Sequence, residues 1–416
     1  MAPTFTVVTP TRRRLPLLRQ AVASVLAQSE PDVELVVSDN ASDDGTREWV
    51  LAQEDERLRY VAPDRVLNAH DHWDFALGHA RGEWVMILPD DDGLVPTALE
   101  RVRSVLDDAP RAVAWREATY SHTVAPVRSL PPEELNQAVV DPFTGRVSDI
   151  DCREELHALF ARRETGPAPG LAAGVMHRDA VERIRRTLGH VFSGPDPFIR
   201  AAVAYMALEA TYRVVDLPLN LRGLTAASIS LSFTRNERGG HDVVTEFDTE
   251  DLLTMVPTRA RTATNVIAES LLRSKVALPH HLAGVEHDLV RYFLVARQEL
   301  DDPHRGDDGG VALAEWRAAV HAQRPTVRAA VVASRSAEQA RRRAIAAAHR
   351  AAASVPGARR LRKAVRAGIE GRSELVVLAG RDHDFEDLAG AARAVDALLP
   401  ATRVQRSEVA ELAAAT

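Results

Sequence analysis

Three consecutive aspartates, Asp90, Asp91 and Asp92, follow the apolar run "VMILP" and precede "GLVP". Carboxylates crowded in this way repel. Two unit charges about 4 Å apart cost roughly 1 kcal/mol in water and several times that near a protein surface. A divalent cation reverses the sign of that cost. Carboxylate oxygens suit the hard ions Mg2+ and Mn2+, whose coordination is commonly completed by a substrate's phosphates. The same residues also read as an acidic loop in which Asp92 caps the next helix. A second acidic stretch, "VVSDNASDDGT", puts Asp39 at the end of an apolar run. A carboxylate there can accept a hydrogen bond from a ring N–H or a ribose hydroxyl. Residues 43–46 read as an Asx-rich turn into a helix. Asp196, in "SGPDPFIRAA", reads by itself as a helix N-cap with Pro197 at the first helical position.

The segments that must position these residues alternate between strand and helix. "FTVVTP", "VELVVSDN", "RLRYVA", "EWVMIL" and "AVAWREATY" are strand-like. Between them, "LPLLRQAVASVLAQ", "DGTREWVLAQ", "NAHDHWDFALGHA" and "PTALERVRSVLDD" carry helical periodicity. This order predicts an α/β fold, a mostly parallel sheet covered by helices on both faces. Ligands of such sheets sit at the carboxyl ends of the strands. Asn40, Ser42 and Asp90 to Asp92 fall at those ends. Residues 120–165 are less regular. "GLAAGVMHRDAVERIRRTL" then reads as strand and helix, "SGPDPFIRAAVAYMAL" as turn and helix, and "TYRVVDLPLNLR" as a strand ending at its proline. From about residue 245 the chain is Ala- and Arg-rich and mainly helical, with one late strand-like piece, "ELVVLAG". The expected division is an α/β domain at 1–240, a helical extension at 241–300, a linker at 301–310 and a helical C-terminal region at 311–416.

Composition narrows the function classes. A net charge of -7 gives no support for nucleic-acid binding, and a single cysteine, Cys152, excludes a disulfide framework. The start, "MAPTFTVVTP", lacks the pattern of a secretory leader, and no run approaches the ~18 apolar residues of a membrane span. A cytoplasmic protein is expected. No G-x-G-x-x-G follows the first strand and no G-x-x-x-x-G-K-[ST] occurs, which argues against a dinucleotide fold or a P-loop.

"VVTPTRRRLPLLRQAVASVLAQ", "ELVVSDNASDDGT", "ARGEWVMILPDDD" and "SGPDPFIRAA", in that order, resemble a family 2 glycosyltransferase with the GT-A fold, over roughly residues 4–235. The resemblance implies an inverting, metal-dependent transfer of sugar from a nucleoside-diphosphate sugar, UDP foremost, to a hydroxyl of a glycan or lipid-linked acceptor. It implies that Thr9, Pro10 and Thr11 form a loop against the nucleotide base, that Asp39 binds the base, and that Arg65 approaches it. The aspartates match the family's metal motif. Family members commonly carry a proline five positions after the metal ligand, and counting back from Pro96 gives Asp91. Asp90 then lies nearer the ribose or behind the metal ligand, supporting it, and Asp92 coordinates through water or caps the helix. Asp196 matches the general base, which removes the acceptor's proton. Gly174, in the strand before it, would leave room for the acceptor. The familiar "TYNR" after the first strand is here "TRRR".

Arg235, Arg238 and His241 fall where family members carry a loop over the diphosphate, and are candidate phosphate contacts. Residues 341–372 hold ten basic residues and one acid, Glu370. They suit a helix lying on an anionic membrane surface, at the inner face of the cell membrane, or a homo-oligomer interface. Two other functions fit parts of the sequence. A nucleotidyltransferase of sugar phosphates would want a glycine-rich phosphate loop, which "TPTRRRLP" lacks. A non-catalytic glycan-assembly scaffold would not need the intact acidic motif.

Overall fold

Phe5–Thr11 (β1) is the centre of a parallel array. It pairs with β2 (Val33–Asp39) on one side and β4 (Trp84–Ile87) on the other, and β3 (Leu58–Val61) flanks β2. Every residue of β1, β2 and β4 is buried, as strands covered on both faces should be. Alternation decides which face each side chain joins. Val7, Leu35 and Met86 enter one core, and Val8, Val36 and Ile87 the other. The chain is described here by a computed structural model covering residues 2–108, 110–127, 130–226, 228, 252–260, 262–301, 310–353 and 375–400.

Three helices connect the parallel strands. In α1 (Leu15–Leu26), Leu18, Val22 and Val25 face the first core at helical spacing. Its first N–H groups are unpaired by geometry, and Asp44 Oδ2 accepts the one from Leu15 at 2.9 Å. α2 (Thr46–Leu51) starts after Gly45, which sits at φ 86°, and α3 (Ala69–Leu77) is capped by Asn68.

The other end of the sheet is mixed. β6 (Ala112–Ser121) is joined to β4 through the antiparallel strand β9 (Gly174–His177). β10 (Thr211–Leu224) runs parallel to β6 and antiparallel to β5 (Gly93–Leu94) and β8 (Val147–Asp151). The sequence pattern placed the end of this strand at its proline, Pro218. It instead passes Pro218 through a shift of register and continues to Leu224. A proline lacks the ladder donor, so a bulge is how a strand accommodates one. β7 (Gln137–Val140) pairs with β6. α4 (Ala98–Arg103), α5 (Cys152–Phe160), α6 (Arg178–Leu188) and α7 (Pro197–Leu208) complete the layers.

A helical region follows: α8 (Ala263–Ala277), α9 (Leu289–Leu300), α10 (Val311–His321) and α11 (Pro325–Ala353). Tyr292, Phe293, Trp316 and Val331 build a third core among them. The stretch 341–372 is described only to residue 353, as the end of α11, and most of the linker 301–310 lies outside the described residues. No described helix is long and apolar enough to cross a membrane.

Residues 375–400 then return to the sheet. β11 (Val376–Ala379) pairs with β7 at the sheet edge, followed by α12 (Gly380–His383) and α13 (Leu388–Asp396). Leu378, Phe385, Leu388, Ala391 and Val395 join the first core. Leu388 fills the space beside Gly93, where an added Cβ would meet its side chain at 3.0 Å. Gln20 Oε1 accepts the Leu388 N–H at 3.0 Å, and Thr97 Oγ1 donates to Asp396 at 2.5 Å. The segment thus braces the chain just after the three aspartates. Leu388→Ala is expected to lower stability by about 3 kcal/mol. Val376→Ser, at a side chain that is 39% exposed, should change it by less than about 0.5 kcal/mol. Urea unfolding of the full chain reads both, and equal effects would show that α13 is not part of the core.

Candidate active site

The parallel strands end together. Thr11 and Asp39 are register partners at the ends of β1 and β2. The chain leaving β4 delivers Asp90, Asp91 and Asp92 alongside, at 2%, 7% and 4% exposure. Thr9, Pro10 and Thr11, expected in a loop, are instead the last residues of β1, because its ladder with β2 runs through Asp39. All three are buried, and the Thr9 hydroxyl has no hydrogen-bond partner among the described residues.

Each aspartate of the triad is held differently. Asp90 accepts hydrogen bonds from Thr11 Oγ1 at 2.7 Å and from Arg14 Nη1 at 2.5 Å. Asp91 Oδ2 accepts from Thr225 Oγ1 at 3.2 Å and from Ser228 Oγ at 3.0 Å, with Arg14 Nη2 at 3.7 Å. Asp92 Oδ1 accepts the Gly223 N–H at 2.8 Å. His122 Nε2 lies 2.8 Å from the Asp91 carbonyl. That oxygen can only accept, so Nε2 carries the proton. Burial lowers the His122 pKa, which keeps the ring neutral.

Burial raises the pKa of Asp90, against the pull of Arg14, and raises that of Asp92 well above the carboxylate range, with Asp91 and Glu117 adding repulsion. A carboxyl whose folded pKa exceeds its unfolded one binds its proton more tightly in the folded chain. Its contribution therefore falls as pH rises through that interval. Among the described residues, no group of three or more His, Cys, Asp or Glu side chains is arranged as a metal cage. The donor chemistry nevertheless fits a hard divalent ion bound by one or two carboxylates and completed by substrate phosphates.

Asp39 faces a second set of partners. Its Oδ1 accepts the Ser42 N–H and its Oδ2 accepts from Tyr60 Oη, each at 2.9 Å. Asn40 bonds both the N–H and the carbonyl of Leu67, which fastens the segment carrying the exposed Arg65 beside the end of β2. His72 Nε2 meets Ser38 Oγ at 3.0 Å, and burial depresses its pKa to about 4. Two non-glycine residues here adopt positive φ, Arg13 at 56° and Ala41 at 59°. Ser42 Oγ accepts the Arg13 N–H and locks the two loops together. Strain of this kind tends to collect at functional sites.

Asp196 caps α7, accepting the Ile199 N–H at Oδ1 at 2.9 Å, while its own N–H donates to Ser270 Oγ on α8 at 3.0 Å. Burial raises its pKa, against the backbone donors of Ile199 and Phe198. No described hydrogen bond or ion pair joins it to the triad. Gly174 does not leave open space for an acceptor on its Cβ side. A Cβ there would meet the carbonyl of Val113 at 2.6 Å and that of Gly170 at 2.8 Å, so the glycine serves close packing of β9 on β6. Arg235, Arg238 and His241 lie outside the described residues.

Sequence reasoning missed Arg14 as the triad's counter-charge, and His122, Gly223, Thr225 and Ser228 as its supports. The available signals were the fourth position of "TRRR" and a glycine inside a strand, which often marks close backbone approach. At Gly223 that approach is extreme. A Cβ would stand 1.9 Å from the Asp91 carbonyl oxygen and 2.7 Å from His122 Nε2. Gly223→Ala is therefore expected to cost about 2 kcal/mol of stability. Gly166→Ala, where a Cβ meets nothing within 4 Å, should stay within about 0.5 kcal/mol. Urea unfolding measures both, and a neutral Gly223→Ala would contradict the packing described.

Residues 6–148 match the family model described as Glycosyl transferase family 2. Over 95 residues the chain is 37% identical to the succinoglycan biosynthesis protein ExoO of Rhizobium meliloti, which covers 23% of this chain and 27% of that protein. Over 100 residues it is 35% identical to the GalNAc(5)-diNAcBac-PP-undecaprenol beta-1,3-glucosyltransferase of Campylobacter jejuni, covering 23% of this chain and 32% of the relative. The similarity therefore spans about a third or less of these relatives' own length. A solved structure of S. aureus TarS 1-349 in complex with UDP-GlcNAc aligns with 80% of this chain and 92% of its own, at 14% identity and a TM-score of 0.44. The family match takes in β1 to β4, Asp39 and the whole aspartate triad, so over residues 6–148 this chain is similar to glycosyl transferase family 2.

Proposed function

We propose that the protein is an inverting, metal-dependent glycosyltransferase. It moves a sugar from a nucleoside-diphosphate sugar, UDP foremost, to a hydroxyl of a glycan or lipid-linked acceptor. The observation that carries this reading is the buried aspartate triad at the carboxyl end of β4, beside Asp39 at the end of β2. The likeness to the Campylobacter jejuni relative, a glucosyltransferase named for an undecaprenol-linked glycan, supports it.

In this mechanism Asp39 accepts a hydrogen bond from the base, and the segment around Arg65 closes beside it. Asp91 and Asp92 would hold Mn2+ or Mg2+, with Asp90 turned toward the ribose side. A bound ion would supply Lewis-acid stabilisation to the leaving diphosphate. Thr225 and Ser228 hold the Asp91 carboxylate in one rotamer. Arg14 balances part of the triad's charge while no ligand is bound. Asp196 takes the proton from the acceptor hydroxyl as it attacks the anomeric carbon. Burial raises its pKa, which strengthens it as a base.

Two variants test the assignment in one assay of UDP-sugar hydrolysis and transfer with Mn2+. Asp196→Asn should lower kcat about 100-fold or more while UDP still binds. Asp91→Ala should abolish both Mn2+-dependent turnover and Mn2+-dependent UDP binding. Retention of kcat within about two-fold in Asp196→Asn, well short of the loss expected for a general base, would remove it from that role. Release of pyrophosphate from a nucleoside triphosphate would replace the reaction itself with nucleotidyl transfer.

A further inference from the structure

A cavity of about 380 Å³ opens between α7, α8, α9 and the segment that follows α5. Ile199, Ala202, Ile267 and Val295 give it an apolar wall, and Arg162 and Arg163 line it as well. It lies one helical turn from Asp196. The Ile199 N–H is the group that Asp196 caps, and Ile267 stands one turn before Ser270, which accepts the Asp196 N–H.

Arg162 sits at positive φ, 53°, in the turn that ends α5. Its Nη2 reaches Thr264 Oγ1 at 3.3 Å, yet its Nε–H is buried and has no hydrogen-bond partner among the described residues. A buried donor left unpaired is destabilising, so an acceptor arriving there is favoured. Glu299, whose charge reaches Arg162, already accepts from the Thr264 N–H and hydroxyl. Arg291 adds to the positive field. Arg163, next in the chain, is exposed.

An apolar wall offers nothing to a sugar's hydroxyls, and guanidinium forks match phosphate oxygens. The volume is at the lower end for ligand sites, suited to a length of hydrocarbon chain. We propose that this cavity binds an amphiphile, an isoprenoid or alkyl chain carrying a phosphate, with the chain against Ile199, Ala202, Ile267 and Val295 and the phosphate on Arg162 and Arg163. Its role as the anchor of a lipid-linked acceptor rests on Asp196 being the base. The binding itself does not.

The experiment is calorimetry on the full chain without metal or sugar nucleotide, using farnesyl diphosphate, farnesol and inorganic phosphate as probes. Farnesyl diphosphate should bind about ten-fold or more tightly than farnesol, with no heat from inorganic phosphate at the same concentration. Arg162→Gln should weaken it about ten-fold, and the exposed Arg163→Gln, which leaves the fold intact, should weaken it measurably. Asp196→Asn should leave it unchanged, which separates failure of the cavity from failure of the base. Equal affinity for farnesol, indifference to both arginine variants, or displacement by UDP would each overturn the proposal.

Discussion

Asp90, Asp91 and Asp92 crowd three carboxylates into a buried corner, and the described ion pairs at that corner all come from Arg14. At an effective dielectric of about 20, a pair of like charges about 4 Å apart costs roughly 4 kcal/mol. One guanidinium cannot offset three such charges; burial, with repulsion from Asp91 added, raises the pKa of Asp90 and Asp92, and donors surround the triad. Those donors come from distant parts of the sequence: Thr11, Gly223, Thr225 and Ser228. Much of the fold's second half exists in geometric relation to this corner. β10 must approach Asp91 so closely that only glycine fits at 223. The last helix packs Leu388 against Gly93, one residue past the triad. A cation and a diphosphate would relieve the remaining imbalance, which links the architecture to the proposed chemistry.

The half of the fold built from local signals was legible in the sequence. Continuous apolar runs gave β1, β2 and β4, and helical spacing gave α1, because both patterns follow from burial on two faces or one. Asp39 and the triad were legible because strand ends of parallel sheets are where ligands sit. Gly223, Thr225 and Ser228 were not, since their partners lie more than 130 residues away: Gly223 to Asp92, Thr225 and Ser228 to Asp91. No periodicity records such a distance. The extent of β1 was misjudged for a related reason, as its last residue is ordered by pairing with Asp39 rather than by its own composition. Pro218 was read as a terminator because its cost is local, whereas the neighbouring β6 carries the strand past it.

Gly174 and Asp196 show how one residue type supports two explanations. A glycine in a strand signals close approach, but the sequence does not say whether backbone or ligand approaches. At Gly174 it is the backbone of β6 and Gly170. Asp196 does serve as an N-cap, with one oxygen given to Ile199. A capping bond leaves the second oxygen for other work, and the packing of α8 through Ser270 ties the helical region to this position. That tie places an apolar cavity and two arginines within a turn of the proposed base, a relation that neither the Ala- and Arg-rich composition nor the motifs reveal.

The central claim is that the triad is completed by a divalent ion together with a nucleoside diphosphate. Thermal unfolding of the full chain with Mn2+ alone, UDP alone and both together tests it most directly. Ligands that bind only the folded chain raise its melting temperature by mass action. The account predicts that the pair raises it by clearly more than the sum of the separate shifts, and that the excess vanishes in Asp91→Ala. If neither UDP, GDP nor dTDP shifts the transition with any of Mn2+, Mg2+ or no metal, the account is contradicted.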